Sequence, residues 1–249
     1  MLYPLRCLLL ACLLACGVRA DFALDLARIH TEATGGRARL EALRSIKASG
    51  VTRGELGEMA FVLWAARPNR LCVEVSSAKR TIRQGWDGRA APWTSDTLTR
   101  TVRVMAGDGA EAFQLEAEFD NPVIAAAGKS RRVSLDYAGA VATEDGELLK
   151  LVATQNFTAT SFVYLDPATY LIVRRDVVRR PPGGEVVVRT DYSDFRPVEG
   201  VILPHRLVVS QNGKRLRETV IERMEANVDL PAGIFSAPPA DKDQGVFLK

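Results

Sequence analysis

The stretch Phe61-Val62-Leu63-Trp64-Ala65-Ala66-Arg67-Pro68-Asn69-Arg70-Leu71-Cys72-Val73-Glu74-Val75-Ser76 decides the architecture. Phe61 and Leu63 alternate with Val62 and Trp64; Leu71, Val73 and Val75 alternate with Cys72, Glu74 and Ser76. A period of two marks a strand with two unlike faces, and Pro68-Asn69 is a turn signal between the runs. Paired as facing strands, they set Phe61, Leu63, Leu71, Val73 and Val75 on one apolar face. Arg67 shares the parity of Phe61 and Leu63 and falls at the end of that face. An arginine there needs partners, because burying a charge unpaired is costly. Backbone carbonyls of a covering helix would supply them; the alternative is a solvated turn residue ahead of Pro-Asn.

The same texture extends toward the C-terminus. Asp87-Gly88, Asp166-Pro167, Glu199-Gly200 and Asn212-Gly213 punctuate strand candidates such as Val133–Val141, Ser161–Leu165, Val186–Phe195 and Ile202–Ser210. Upstream, Asp21–Ala33 places Leu24, Ala27 and Ile29 at helical spacing, with Gly35-Gly36 as a stop, and Arg37–Ile46 sets Leu40, Leu43 and Ile46 on one stripe. Gly109–Ala127 lacks alternation, and its front half, with Ala112, Leu115 and Phe119, reads as a short inserted helix. No Pro/Ser-rich linker or fixed-period repeat divides the chain. The fold class expected is α+β, mainly β. It is a half-open curved antiparallel sheet, an incomplete β-barrel of about ten strands, with short helices covering the concave face.

The first twenty residues read as a signal peptide. Arg6 provides the positive end, Cys7–Cys16 an uncharged apolar run, and Val18-Arg19-Ala20 a small-residue cleavage site. Cleavage after Ala20 would release a soluble exported product. Leu13-Leu14-Ala15-Cys16 also resembles a lipobox, which would instead leave the chain lipid-anchored through Cys16. After cleavage at Ala20, Cys72 is the sole cysteine, so stability rests on the core rather than on a disulfide. Of 33 basic residues, Arg6 and Arg19 leave with the leader, against 30 acids. Such a neutral, aromatic-poor chain is not expected to bind nucleic acid.

No constellation carries catalysis. The two histidines, His30 and His205, have no second histidine or cysteine at ligand spacing, and read as surface or satisfied core residues rather than metal ligands. No nucleophile elbow, His-Glu-x-x-His or phosphate-cradling loop occurs. Asp191 and Asp194 fit a solvated strand end better than acid–base work. Cys72, on the parity of Glu74, reads as an inert thiol in a packed niche. Trp64, Trp86 and Trp93 read equally as ligand-mouth or core residues. No cofactor or metal is expected.

Several pieces occur in an order that resembles a known family. They are Ala33-Thr34-Gly35-Gly36 with Leu40 and Ser45-Ile46, the Arg67-Pro68-Asn69 turn, and Trp86-Asp87-Gly88 followed by Trp93. Tyr164-Leu165-Asp166 with Tyr170-Leu171 comes next, then Asp191-Tyr192-Ser193-Asp194-Phe195, Gly200 and Leu203-Pro204-His205. Asp229-Leu230-Pro231 with Phe235 completes the set. Together they resemble the LolA-like superfamily, and most closely its outer-membrane lipoprotein-sorting proteins. The resemblance implies that residues 21–249 form a single LolA-like β domain in the periplasm, whose half-open barrel holds acyl chains under helices. It also implies that the turn arginine, here Arg67, faces the cavity and helps fasten the lid. Two departures from the LolA carrier bear on the cargo rather than the cavity: the chain is longer, and aliphatic Leu71 and Val73 replace large aromatics. Expected ligand-binding residues are Phe61, Leu63, Arg67, Leu71, Val73 and Val75. The expected partners are a lipid or lipoprotein acyl chains, with inner- or outer-membrane proteins as further candidates. The rival expectation is a non-catalytic envelope interaction or sensor module with a filled core, docking a partner protein.

Overall fold

Period-two sequence becomes strand almost throughout. In a computed structural model, the described residues are 22–128, 130, 132–144, 146–156, 159–179 and 184–239; the expected signal peptide, with Cys16, lies outside them. Among the described residues there are four helices, α1 (22–33), α2 (Arg37–Ala42), α3 (Gly107–Ala117) and α4 (Pro122–Ala127). The strands are β1 (Ser45–Gly54), β2 (Gly57–Ala66), β3 (Arg70–Ser76), β4 (Thr81–Trp86), β5 (Trp93–Asp96), β6 (Thr101–Val104), β7 (Val133–Thr143), β8 (Gly146–Gln155), β9 (Ala159–Leu165), β10 (Ile172–Arg179), β11 (Val186–Val198), β12 (Val201–Gln211) and β13 (Lys214–Ala226). Among the described residues, no helix is long and apolar enough to cross a membrane.

The protein is mainly β with a few short helices, but the strands number thirteen among the described residues rather than about ten. The surplus lies where alternation is faint. β4, β5 and β6 are short and rich in polar residues, with Gly85 among them. β1 claims Ile46, which the stripe Leu40-Leu43-Ile46 had suggested for a helix; α2 ends at Ala42. A bulge between Ser49 and Gly50 then shifts the register of β1 against β13 and blurs its period.

The chain divides into two compact units. One comprises the described residues up to Arg37 together with Asn121–Val178. It holds α1, α4 and the antiparallel order β7-β8-β9-β10. Its core joins Ala23, Leu26 and Ala27 of α1, Val123 and Ala126 of α4, and Leu135, Leu151, Ala153, Val163 and Leu165 of the strands. The buried stripe of α1 is not the one suggested by Leu24 and Ile29. It runs Ala23, Leu26, Ala27, His30 and Thr31 and continues to Thr34 just past the helix, while Ile29 is exposed. Three polar members hid this stripe, although its three-and-four spacing is regular.

The other unit comprises Ala38–Asp120 and the described residues from Arg179 onward, with the antiparallel order β6-β5-β4-β3-β2-β1-β13-β12-β11. Among the described residues, β6 has β5 as its one strand neighbour. The inserted helix expected after Gly109 is present as α3, which buries Phe113 and Ala117 at i, i+4.

Candidate functional site

Register turns the parity argument into geometry. Across β2 and β3, Phe61 faces Val75, Leu63 faces Val73 and Ala65 faces Leu71. The neighbouring strands extend the row: Ala48 pairs with Leu63, Ile46 with Ala65, Leu71 with Trp86 and Val75 with Ile82. The five apolar residues expected at the site therefore share one face. Phe61 packs with Ala48 and Ile221, and Leu71 with Trp86, Phe113 and Ala117. Leu63 and Val73 flank both clusters, and with Val75 they stay only half-buried.

Arg67 lies just past the end of β2 and is not a solvated turn residue. Its Nε donates to the Leu43 carbonyl at 2.8 Å and Nη2 to the Leu40 carbonyl at 2.8 Å. Nη1 and Nη2 also donate to the two Asp120 oxygens at 2.6 Å each. The guanidinium lies 4.7 Å from the centroid of the Phe119 ring. Leu40 and Leu43 sit in and just after the last turn of α2, where carbonyls lack their full set of helix partners and a cation is favoured; the Leu40 carbonyl also accepts the Leu43 N–H at 3.3 Å. Two of the four Arg67 bonds thus go to backbone carbonyls at the end of α2. Asp120 and Phe119, more than fifty residues away in sequence, carried no signal of their role.

The turns flanking Arg67 interlock. Phe119 N–H donates to the Pro68 carbonyl at 3.1 Å. Gly88 has φ +83°, and a Cβ there would meet Asn69 Oδ1 at 2.5 Å, so the Trp86-Asp87-Gly88 turn packs against the Arg67-Pro68-Asn69 turn. Asp87 accepts the N–H groups of Arg89 and Ala90, which hold its carboxyl below the usual range. Trp86 Nε1 donates to the Ala90 carbonyl at 2.6 Å.

The opposite face of β2–β5 carries a packed cluster of its own. Cys72 packs with Ala66, Trp93 and Phe235, flanked by Trp64, Leu230 and Ile234 of the tail. Trp93 Nε1 donates to the Phe235 carbonyl at 2.9 Å. Burial pushes the Cys72 thiol pKa up, with Arg83 pulling the other way. Cys72 is therefore a fully buried thiol, and Trp86 and Trp93 are core residues.

The histidines are buried and bonded. His30 Nδ1–H donates to the Tyr170 carbonyl at 2.8 Å, which leaves Nε2 to accept from the Asn121 amide at 3.2 Å. His205 bonds the Leu203 carbonyl at 3.0 Å. Asp194 is ion-paired with Arg196 at 2.6 Å at the surface. Among the described residues, no cluster of His, Cys, Asp or Glu could hold a metal ion.

No family model matches the chain, and no curated protein matches it by sequence. Solved structures do. A DUF1329 family protein from Desulfovibrio piger superposes with a TM-score of 0.61 at 11% identity, covering 87% of this chain and 97% of its own. A putative outer membrane lipoprotein-sorting protein domain from Vibrio parahaemolyticus gives 0.57 at 10%, covering 87% and 97%. A LolA superfamily protein from Nitrosomonas europaea gives 0.51 at 12%, covering 88% and 97%. At such identities the likeness is one of fold, and the fold of this chain is LolA-like.

Proposed function

We propose that the protein binds and carries a lipid, or the acyl chains of a lipoprotein, in the periplasm, without catalysis. The observation that carries this reading is the register-matched apolar face of Phe61, Leu63, Leu71, Val73 and Val75, three of whose members the protein's own side chains leave half-buried. Likeness in fold to a lipoprotein-sorting domain points the same way. Burial of each CH₂ contributes roughly 0.8 kcal/mol, so a twelve-carbon chain gains about 9 kcal/mol before ordering costs. Delivery requires that gain to be offset. In this reading α2 is a lid, and the Arg67 bonds to its carbonyls favour a closed state that competes with cargo.

The test is uptake of a fluorescent fatty acid by delipidated full-length protein, with mass spectrometry of lipid co-purified from membranes. Leu63→Asn and Val75→Asn should each weaken uptake about tenfold, and Arg67→Met should change the release rate. Absence of uptake, with no co-purified lipid, refutes the proposal. A second reading, an envelope interaction module with a filled core, is favoured by one contact. Phe113 and Ala117 of α3 pack on Leu71 and Trp86, with Leu63 and Val73 at the margin. It predicts no uptake and recovery of a partner protein.

A further inference from the structure

Strand β6 ends the strand order of its unit and, among the described residues, has β5 as its one strand neighbour. Met105 N–H donates to the Pro92 carbonyl at 2.7 Å on the β5 side. Backbone groups of successive residues in an antiparallel ladder point to opposite sides. Thr101 and Arg103 therefore face β5, while the N–H and C=O of Val102 and Val104 point outward. The side chains of these two residues are also uncovered, Val102 by 37% and Val104 by 59%, and Leu98 in the preceding turn by 63%. Six large apolar residues are exposed among the described residues, and three of them gather at this one edge.

The charge here has one sign. Thr97–Ala106 contains Arg100 and Arg103 and no acid. Both arginines are exposed, and neither has an ion-pair partner among the described residues. Asp96, just upstream, is already engaged. Arg80 grips it at 2.6 Å, and its Oδ1 accepts the Leu98 N–H at 2.9 Å.

We propose that β6 is the docking edge for an extended, acidic segment of a partner protein, which adds beside it as a further antiparallel strand. Main-chain bonds to Val102 and Val104 supply the pairing, and apolar side chains of the segment cover the two valines and Leu98. Acidic side chains meet Arg100 and Arg103. A second copy of this chain is a poor occupant, because edge-to-edge pairing of two β6 strands brings Arg103 side chains of like charge together. The arginines thus reject a copy and admit an acidic strand. This edge needs no acyl ligand and holds whether or not the carrier proposal does.

The test uses the full-length protein and two capped ten-residue peptides, one alternating valine with glutamate and one alternating valine with lysine. The glutamate peptide should bind at least about tenfold tighter, with an advantage that shrinks as salt rises. It should also slow amide exchange at Val102 and Val104. Val102→Pro removes an outward N–H without removing a ladder bond and should abolish binding. Arg100→Glu with Arg103→Glu should reverse the peptide preference. The arginine pair is exposed, so that variant decides the matter if Val102→Pro does not fold. Equal binding of the two peptides, protection at other strands only, or an unaltered preference in the double-glutamate variant would overturn the proposal. So would dimerisation through β6, which assigns the edge to a second copy.

Discussion

Replacing Arg67 with methionine keeps the aliphatic stem and deletes the fork that joins two parts of its unit. Two of its four bonds end on carbonyls of buried Leu40 and Leu43, and two on Asp120. Each carbonyl that loses a cationic donor away from solvent costs about 1 kcal/mol or somewhat more. The Asp120 pair is weaker than its geometry suggests. Its side chains are 27% and 31% exposed, so solvent screening limits it to about 1 kcal/mol. The expected loss is about 3 kcal/mol, close to a hundredfold in an equilibrium constant. Urea unfolding should show it as a lower midpoint. If the release is confined to α2, the Leu43 amide, bonded to the Arg39 carbonyl, should exchange about a hundredfold faster. Arg67→Lys keeps the charge but not the fork and should recover less than half of the loss. A methionine variant within about 0.5 kcal/mol of the parent, with α2 exchange unchanged, would refute the clamp.

His30 makes stability depend on pH: burial lowers its pKa to about 4 from an ordinary 6.5. Between those values the unfolded chain takes up a proton that the folded chain refuses. Stability is therefore full above pH 6.5 and falls by roughly 3 kcal/mol as pH drops toward 4. Urea midpoints at pH 7.5 and 4.5 should show the drop in the parent and a smaller one in His30→Gln; equal drops would contradict it. Cys72 should resist thiol reagents in the folded protein and react at once on unfolding, because it is fully buried and its thiol pKa is raised. Gly85→Ala should cost about 2 kcal/mol in thermal or urea unfolding, because its Cβ would sit 2.4 Å from the Trp93 ring. A neutral result there would mean that the ring can move aside.

Legibility followed the range of the interactions. Parity alone assigned Phe61, Leu63, Leu71, Val73 and Val75 to one face, because side-chain direction in a strand depends on position, not on distant neighbours. Strands β4–β6 leave little trace in the sequence, since these short polar segments are held by pairing in turn with β3, β4 and β5 rather than by their own pattern. The buried face of α1 was misread because His30, Thr31 and Thr34 are polar. They are satisfied by bonds to Tyr170, Ala27 and the helix's own carbonyl at His30.

What the residues determine by themselves is local: period two, turns at Asn, Asp and Gly, and the need of Arg67 for partners. A pattern along one segment is enough to set these, because steric and solvation preferences act on neighbouring residues. Tertiary structure alone decided that Asp120 meets Arg67, that Phe235 closes over Trp93, and that Val102 and Val104 form an uncovered edge. These outcomes depend on which distant segments become neighbours. Loop closure and the packing of the whole unit choose among many chemically equivalent acids, aromatics and valines.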